Sequence, residues 1–367
     1  MRTLRVTLVT PGFPPEQGGV ESHTGSLARE LAALGVDVRV LTAHRGVRRV
    51  QDETRDGLPV RVFPAWRTTA MSISPRLLLA GLRAFRDTDV VHVHSYHASC
   101  GFAALSGLVA PVVFTPHYHG GGHTPRAAAI HRVYRFVGRA LFRATRAVIC
   151  VSRAEEAAVL ADVPAVAGRT HVLPNGVDTA AFRAAEPYPA QPPTIVSLGR
   201  LEPYKGVATL LRAVPALPQD AQVVVIGEGS QRAELEKLAA ELGVADRVRF
   251  LGVVDAESVR RWLRTAAVLV SLSDHEAFGM APIEAACVGA RVVLSDIPAH
   301  REIVADYLGP AATLVTPRQD AVATAVTARL AEPGRVATDV PDWSRIAAAT
   351  LAVYRAVGPT DQGETPT

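Results

Sequence analysis

The segment SLSDHEAFGMAPIEAACVGARVVLSD sets two carboxylates, Glu276 and Glu284, around a predicted helix start, with a tight turn at Phe278 and Gly279 and the helix opening near Met280. The free N–H groups of a helix start hold anions, so a diphosphate suits this position. Glu284, near one turn into the helix, can accept hydrogen bonds from vicinal hydroxyls such as those of ribose, while Glu276 faces whatever hangs from the phosphate. Either glutamate alone also reads as a capping carboxylate or an exposed helix residue. Upstream, TIVSLGR followed by LEPYKG puts Arg200 and Lys205 in one strand-to-helix loop. The guanidinium offers a planar fork and the ammonium a point charge, a pair suited to a diphosphate, although two cations in a solvated loop would look the same. The next strand, QVVVIGEGSQ, carries Gly227, Glu228 and Gly229, but Arg232 stands where a dinucleotide fingerprint takes a third small residue. A nicotinamide cofactor is therefore disfavoured. Near the start of the chain, Gly18 and Gly19 follow a strand and precede a helix beginning near Val20, where the backbone can approach a phosphate or simply form a loop.

Six of the twelve histidines fall within VHVHSYH and TPHYHGGGH: His92, His94, His97, His117, His119 and His123. HxH on a strand puts both side chains on one face, which suits zinc, but no carboxylate accompanies them locally and a metal is disfavoured. His92 and His94 are expected to be satisfied strand residues. Asp87-Thr88-Asp89 has the DxD form of a metal-diphosphate site, yet it precedes a strand instead of following one.

These residues must be positioned by alternating elements. RVTLV, VDVRVLT, VVHVH, VVFTP and AVICVS are short β-branched runs separated by alanine-rich helical patterns, and TIVSLGR, QVVVIGEG, RVRFLG, AVLVSLS, ARVVLSD and ATLVTP resume the rhythm after a proline-rich stretch. That is the pattern of βα units around parallel sheets, with ligands expected just after strands. At 367 residues and 48% hydrophobic content the chain calls for two cores. The expected organisation is a first domain over 1–183, a linker over 184–193, a second domain over 194–341, a terminal helix over 342–357 and a disordered tail over 358–367. Charged residues at 20% and a mean hydropathy of +0.16 exclude a disordered chain. The widely spaced Cys100, Cys150 and Cys287 support neither a disulfide framework nor a cysteine zinc site, which fits a reducing cytoplasm. No run approaches the roughly 18 apolar residues of a membrane span, and the amino terminus does not read as a signal peptide.

The net charge of +4 is uneven: residues 1–180 carry +8 and residues 181–367 carry −4. A basic first half attracts phosphates, anionic lipid or nucleic acid without choosing among them. Arg132, Arg135, Arg139, Arg143 and Arg146 recur every three or four residues, a stripe that suits either a solvated helix face or docking on an anionic membrane.

Taken together, GG after the first strand, LGRLEPYKG, VIGEG, RVRFLG and EAFGMAPIEA, with seven residues between Glu276 and Glu284, resemble the family 4 retaining glycosyltransferases of GT-B fold. The resemblance spans nearly the whole chain, including DVVHVHS, ICVSRAE and LPNGVDTAAF. It implies two Rossmann-like doubly wound domains facing across a crevice, with the terminal helix crossing back to the first. It also implies that Arg200 and Lys205 hold the diphosphate of a nucleotide-sugar donor, that Glu284 holds the ribose, and that Glu276 and the backbone at Phe278, Gly279 and Met280 hold the sugar. Gly18 and Gly19 would close on the phosphate, Gly227, Glu228, Gly229 and Val253 would line the nucleobase pocket, and His117, ending VVFTPH, would reach the sugar. The expected enzyme is a cytoplasmic hexosyltransferase that takes a UDP- or GDP-sugar and passes the sugar to a lipid, cyclitol, saccharide or small-metabolite acceptor, with no cofactor, metal or nucleic acid and with peripheral contact to anionic membrane open. A nucleotide-sugar epimerase or sugar phosphorylase of similar fold is the alternative.

Overall fold

The computed structural model describes residues 2–16, 18–67, 72–118, 138–189 and 191–358. Two compact units result, Met1–Gly176 with Trp343–Thr367, and Val177–Asp342.

The first unit contains β1 (Arg5–Val9), β2 (Asp37–His44), β3 (Gln51–Arg55), β4 (Leu58–Pro64), the ribbon β5 (Trp66–Arg67) and β6 (Ser72–Ile73), β7 (Val90–His94), β8 (Val112–Thr115), β9 (Ala147–Cys150) and β10 (Thr170–Val172). Its main sheet runs β10-β9-β8-β7-β1-β2-β4-β3. Only β3 runs antiparallel, against β4. Helices α1 (Gly19–Ala33), α2 (Pro75–Arg83) and α3 (Arg153–Asp162) follow strands, as parallel pairing requires. The central strands are covered on both faces: β7, β8 and β9 are buried along their whole length.

Polar groups at the strand ends fix the loops that carry the histidines. Asp89 accepts the Arg5 main-chain N–H at 2.9 Å and the Arg5 and Arg2 guanidinium groups at 3.1 and 2.8 Å, tying the start of β7 to β1. Burial works to raise the Asp89 carboxyl, but Arg5 outweighs it and the pKa is lowered. The Asp87-Thr88-Asp89 segment is thereby a structural clamp. At the other end of the sheet, the buried Glu155 carboxylate accepts the main-chain N–H of Val151 and of Tyr118, joining the turns after β9 and β8. Ser152 caps α3 by accepting the Glu155 N–H at 2.9 Å.

The second unit contains α4 (Thr179–Ala184), β11 (Thr194–Leu198), α5 (Val207–Ala213), β12 (Gln222–Ile226), α6 (Arg232–Glu241), β13 (Val248–Gly252), α7 (Ala256–Thr265), β14 (Val268–Ser271), α8 (Met280–Cys287), β15 (Arg291–Ser295), α9 (Pro298–Ile303), β16 (Ala312–Val315) and α10 (Gln319–Ala331). Its six strands are all parallel, in the order β13-β12-β11-β14-β15-β16. Counted from its first strand this is 3-2-1-4-5-6, the doubly wound order whose ligand crevice opens where the order reverses. Here that is the carboxyl end of β11 and β14.

The last helix, α11 (Trp343–Val357), belongs to the first unit, where Leu351 and Tyr354 join a core with Leu27 and Leu31 of α1. The Tyr354 hydroxyl meets His92 Nδ1 at 2.6 Å.

The boundary differs from the sequence expectation. The units part at Gly176, before the proline-rich stretch, and that stretch packs into the second unit instead of linking the two. Val177 donates its N–H to Pro341 O at 2.8 Å, Arg261 Nε donates to Glu186 O at 3.1 Å, and the Tyr188 ring lies 4.5 Å from that of Trp262. Prolines mark these residues as non-helical, but they do not tell a packed extended segment from a free one. The tail over 359–367 lies outside the described residues.

Candidate functional site

In the second unit the sequence-predicted cations Arg200 and Lys205 and one of the two carboxylates, Glu276, meet at the switch point. Gly199 and Arg200 follow β11, and Ser273 and Glu276 follow β14. Lys205, at the end of a short turn over Pro203–Lys205, places Nζ 2.5 Å from Glu276 Oε1. Ser273 Oγ donates to the same oxygen at 2.7 Å. Burial pushes the Glu276 carboxyl up, but Lys205 and Ser273 together outweigh it and leave the pKa below its ordinary value. Glu276 is thus held as an anion.

Arg200 is exposed and its guanidinium donates to the Tyr204 hydroxyl. The Arg200 and Lys205 cations stand 5.7 and 5.3 Å from the Tyr204 ring centre, and His275 stacks on that ring at 4.5 Å. A small pocket is lined by Gly199, Arg200, Lys205, Ser271 and Ser273. A larger cavity of about 330 Å³, lined by Tyr188, Arg249 and Trp262, contains none of the predicted site residues. The smaller one holds the charges and the switch point.

Glycine is required at two of these positions. Gly227 has φ 132°, and a Cβ there would stand 1.9 Å from Gly199 O, so the turns after β11 and β12 approach as only glycine allows. Gly279, with φ 105°, turns the chain into α8 behind the buried Phe278, leaving the first N–H groups from Met280 onward without intrahelical partners. Glu284 lies within that helix, and desolvation alone pushes its carboxyl up to about 7.

The remaining second-unit residues are less closely joined to this group. Glu228 Oε1 lies 3.1 Å from Arg232 Nη1, and Gly229 packs against the main chain of Leu201. Val253 is exposed at 62%.

The first unit holds a histidine group that differs from the one expected. His92 is satisfied, with Nδ1 on Tyr354 and Nε2 2.7 Å from Thr115 Oγ1. His94 is not, as expected, satisfied: both ring nitrogens are buried without a hydrogen-bond partner among the described residues. The HxH spacing does bring the two rings together, with centres 4.0 Å apart and planes tilted by 38°. His117 follows β8 with φ 49°, a left-handed conformation that is strained for a histidine. His23, from α1, joins them at 5.3 Å from the His94 ring and 5.0 Å from the His117 ring. His23 Nδ1 pairs with Asn175 Oδ1 at 2.6 Å, and burial lowers its pKa to about 4. Each of His23, His94 and His117 brings one ring nitrogen to within 4.8 Å of the others. Three imidazoles so placed could take zinc, or hydrogen-bond the hydroxyls of a polyol. His119, His123, Arg132 and Arg135 lie outside the described residues.

Gly18 and Gly19 are exposed at the start of α1. The Glu21 carboxylate folds back over this turn, so that a Cβ on Gly18 would stand 2.2 Å from its Oε2.

Comparison with known proteins accounts for both units. Residues 17–181 match the family described as Glycosyltransferase Family 4, and residues 178–338 match Glycosyl transferases group 1. A phosphatidyl-myo-inositol mannosyltransferase from Mycolicibacterium smegmatis is 30% identical, over 96% of this chain and 94% of its own. The chain is a family 4 glycosyltransferase. A GDP-mannose:cellobiosyl-diphosphopolyprenol alpha-mannosyltransferase from Xanthomonas oryzae is also 30% identical, over 80% of this chain and 79% of its own. Among solved structures, sucrose-phosphate synthase from Thermosynechococcus elongatus superposes with a TM-score of 0.73 at 23% identity, over 97% of this chain and 95% of that one. Anabaena HepE in complex with UDP-glucose gives 0.71 at 19%, over 96% and 98%. The glycosyltransferase has the GT-B fold, and with transferases throughout these matches the epimerase or phosphorylase reading is set aside.

Two residues of this glycosyltransferase escaped sequence reasoning. His23 sits in GGVESHT, far from the other histidines in sequence, and His300 in IPAHREI follows β15 as an isolated histidine. No local spacing signals either one.

The Glu284 carboxyl leads to a stability prediction. Its ordinary value is 4.5 and its folded value about 7, so the protonated form favours the fold. Its contribution is fully present below about pH 4.5 and is lost as pH rises through about 7. Glu284→Gln, which stays neutral, should raise unfolding free energy over wild type by about 1–3 kcal/mol at pH 8 and by little at pH 4. Urea melts at the two pH values check this, and equal shifts at both would contradict it.

Proposed function

We propose that this glycosyltransferase moves a hexose-type unit, with retention of configuration, from a nucleoside diphosphate sugar to a lipid-borne acceptor, without a metal ion. The observation that carries the donor assignment is the meeting of Arg200, Lys205, Glu276 and the start of α8 at the switch point of the second unit. Cations and helix-start N–H groups stabilise the charge that develops on a leaving diphosphate, the electrostatic contribution that usually dominates such catalysis. With those groups in place a divalent cation is not needed to neutralise it.

In this reading Arg200 and Lys205 grip the diphosphate, and Glu276 holds a sugar hydroxyl, its carboxylate kept ionised by Lys205. Glu284 accepts from the ribose hydroxyls, and the backbone at Phe278, Gly279 and Met280 completes the sugar and phosphate contacts. Gly227, Glu228, Gly229 and Val253 are assigned to the nucleobase. Gly18 and Gly19 are assigned to the phosphate, and His117 to the sugar. The bond from the anomeric carbon to the diphosphate breaks with its electron pair on the phosphate oxygen. The acceptor oxygen bonds to that carbon from the same face, and its proton passes to the departing phosphate.

A lipid-borne acceptor is supported by the relatives named for phosphatidyl-myo-inositol and diphosphopolyprenol. It is also supported by the surface of the first unit. Leu108 and Val109 are 76% and 71% exposed beside the segment that carries the exposed Arg143 and Arg146. Exposed apolar side chains beside cations suit an anionic bilayer surface. Among the described residues no helix is long and apolar enough to cross a membrane.

Two outcomes are expected. Lys205→Ala should weaken nucleoside diphosphate binding by about 10- to 100-fold, the size of a lost charge-assisted contact, and slow turnover of the nucleotide sugar with it. Calorimetry and diphosphate-release rates check this, and unchanged values would remove Lys205 from the site. The chain should also sediment with vesicles containing phosphatidylglycerol but not with pure phosphatidylcholine, and the Arg143→Glu/Arg146→Glu pair should reduce that binding. Equal binding to both vesicle types would contradict the membrane contact.

A further inference from the structure

A hydrogen-bonded chain leads from the Glu276 carboxylate into the interior of the second unit. Ser273 Oγ donates to Glu276 at 2.7 Å, and the Ser273 main-chain oxygen accepts the Ser295 hydroxyl at 2.5 Å. At the end of the chain His300, in α9, places Nδ1 2.9 Å from Ser295 O and 3.2 Å from Ser295 Oγ. The Ser295 proton is directed at Ser273, so the hydroxyl turns a lone pair toward the ring. Two acceptors around one ring nitrogen require that nitrogen to carry the proton. Nε2 is therefore the unprotonated nitrogen, and its lone pair is fixed in place by the rest of the chain.

Among the described residues that lone pair has nothing to accept from. His300 is 0% exposed, and its Nε2 has no hydrogen-bond partner among the described residues. Burial lowers the pKa of the ring, which keeps it neutral at neutral pH. A buried polar atom left unsatisfied costs stability, so such an atom in a binding region points to a missing partner. Its location is specific: a methyl group on Gly279 would stand 3.5 Å from Cδ2 and 3.7 Å from Nε2. The ring edge thus lies beside the turn that opens α8, within electrostatic reach of Glu276 and Lys205.

The chemistry narrows the partner. A fixed lone pair repels phosphate oxygens, which carry no protons at neutral pH, and attracts O–H donors. We propose that His300 recognises the transferred sugar, its Nε2 accepting a hydrogen bond from one sugar hydroxyl beside Glu276. This rests on the donor-site reading above and adds a residue that distinguishes a sugar conjugate from the bare nucleotide.

The test compares the wild-type chain with His300→Asn, whose amide N–H keeps the contact to Ser295 and whose shorter side chain removes Nε2. Calorimetric titrations use UDP and GDP and their conjugates UDP-glucose and GDP-mannose. For the nucleotide that wild type binds, the variant should bind the bare diphosphate within about twofold and its sugar conjugate about five- to tenfold more weakly, the size of one neutral hydrogen bond. His300→Gln, whose amide oxygen reaches toward the Nε2 position, should recover most of the loss. Should His300→Asn fail to fold, His300→Leu fills the same volume and is read in the same way. Equal weakening of diphosphate and conjugate, or no change in either, overturns the role of His300 alone. A wild-type chain that binds no nucleotide removes the donor site, and this role with it.

Discussion

Glu276 keeps its charge inside the second unit because Lys205 Nζ lies 2.5 Å away and Ser273 supplies a second hydrogen bond. Both ends of the ion pair are about one-fifth exposed, a setting in which removing either partner strands the other at a cost of about 3–5 kcal/mol. Much of the local architecture follows from that constraint. The turn carrying Lys205 must lie across the end of β11 to reach the residue after β14, and Gly206, in a left-handed conformation, fits against Leu272 where a Cβ would collide. The reversal of strand order between β11 and β14 supplies the opening in which the pair sits. Glu284 is treated in the opposite way. It has desolvation and no compensating cation, so one glutamate is ionised by its surroundings and the other is held close to neutrality. Two carboxylates so close in sequence therefore sit in different electrical environments.

The first unit meets the same problem of buried polarity with imidazoles. The inner strands β7 and β8 are apolar throughout except where His92, His94 and Thr115 interrupt them. His92 is satisfied by α11 and β8, which makes it part of the attachment of the terminal helix to this unit. His94 is left beside His23 and His117 with nothing to bond to among the described residues. His23 is oriented by Asn175, and His117 is held in a strained turn next to Tyr118, whose N–H is fixed by Glu155. An imidazole cluster at the ends of parallel strands is an environment for hydroxyl groups, and it is also the one place among the described residues where a transition metal would find three ligands.

Much of this was legible in the sequence. Apolar runs such as VVHVH and QVVVI became buried parallel strands because nothing but a covered sheet accommodates them. The loop positions of Arg200, Lys205, Glu276 and Gly279, and of Glu284 one turn into α8, were readable because each follows a strand closely, where chain order and spatial order agree. What escaped depends on contacts across long separations. His23 is 152 residues from Asn175, and the proton on His300 Nδ1 is decided by a serine hydroxyl that answers to Ser273, 22 residues before it. The domain boundary escaped for a different reason. The prolines around Tyr188 break periodicity wherever they occur, and the contacts of Tyr188 with Trp262 and of Glu186 with Arg261, more than 70 residues on, show that this segment belongs to the second unit.

The central claim is that the switch point of the second unit binds a nucleoside diphosphate without metal. Thermal denaturation of the wild-type chain with UDP, GDP, ADP and TDP, each with and without magnesium, and with zinc alone, tests it directly, because a ligand specific to the native state raises the melting temperature. One nucleotide should stabilise the chain equally with and without magnesium. Stabilisation by zinc with none by any nucleotide would contradict the account and transfer the functional site to His23, His94 and His117.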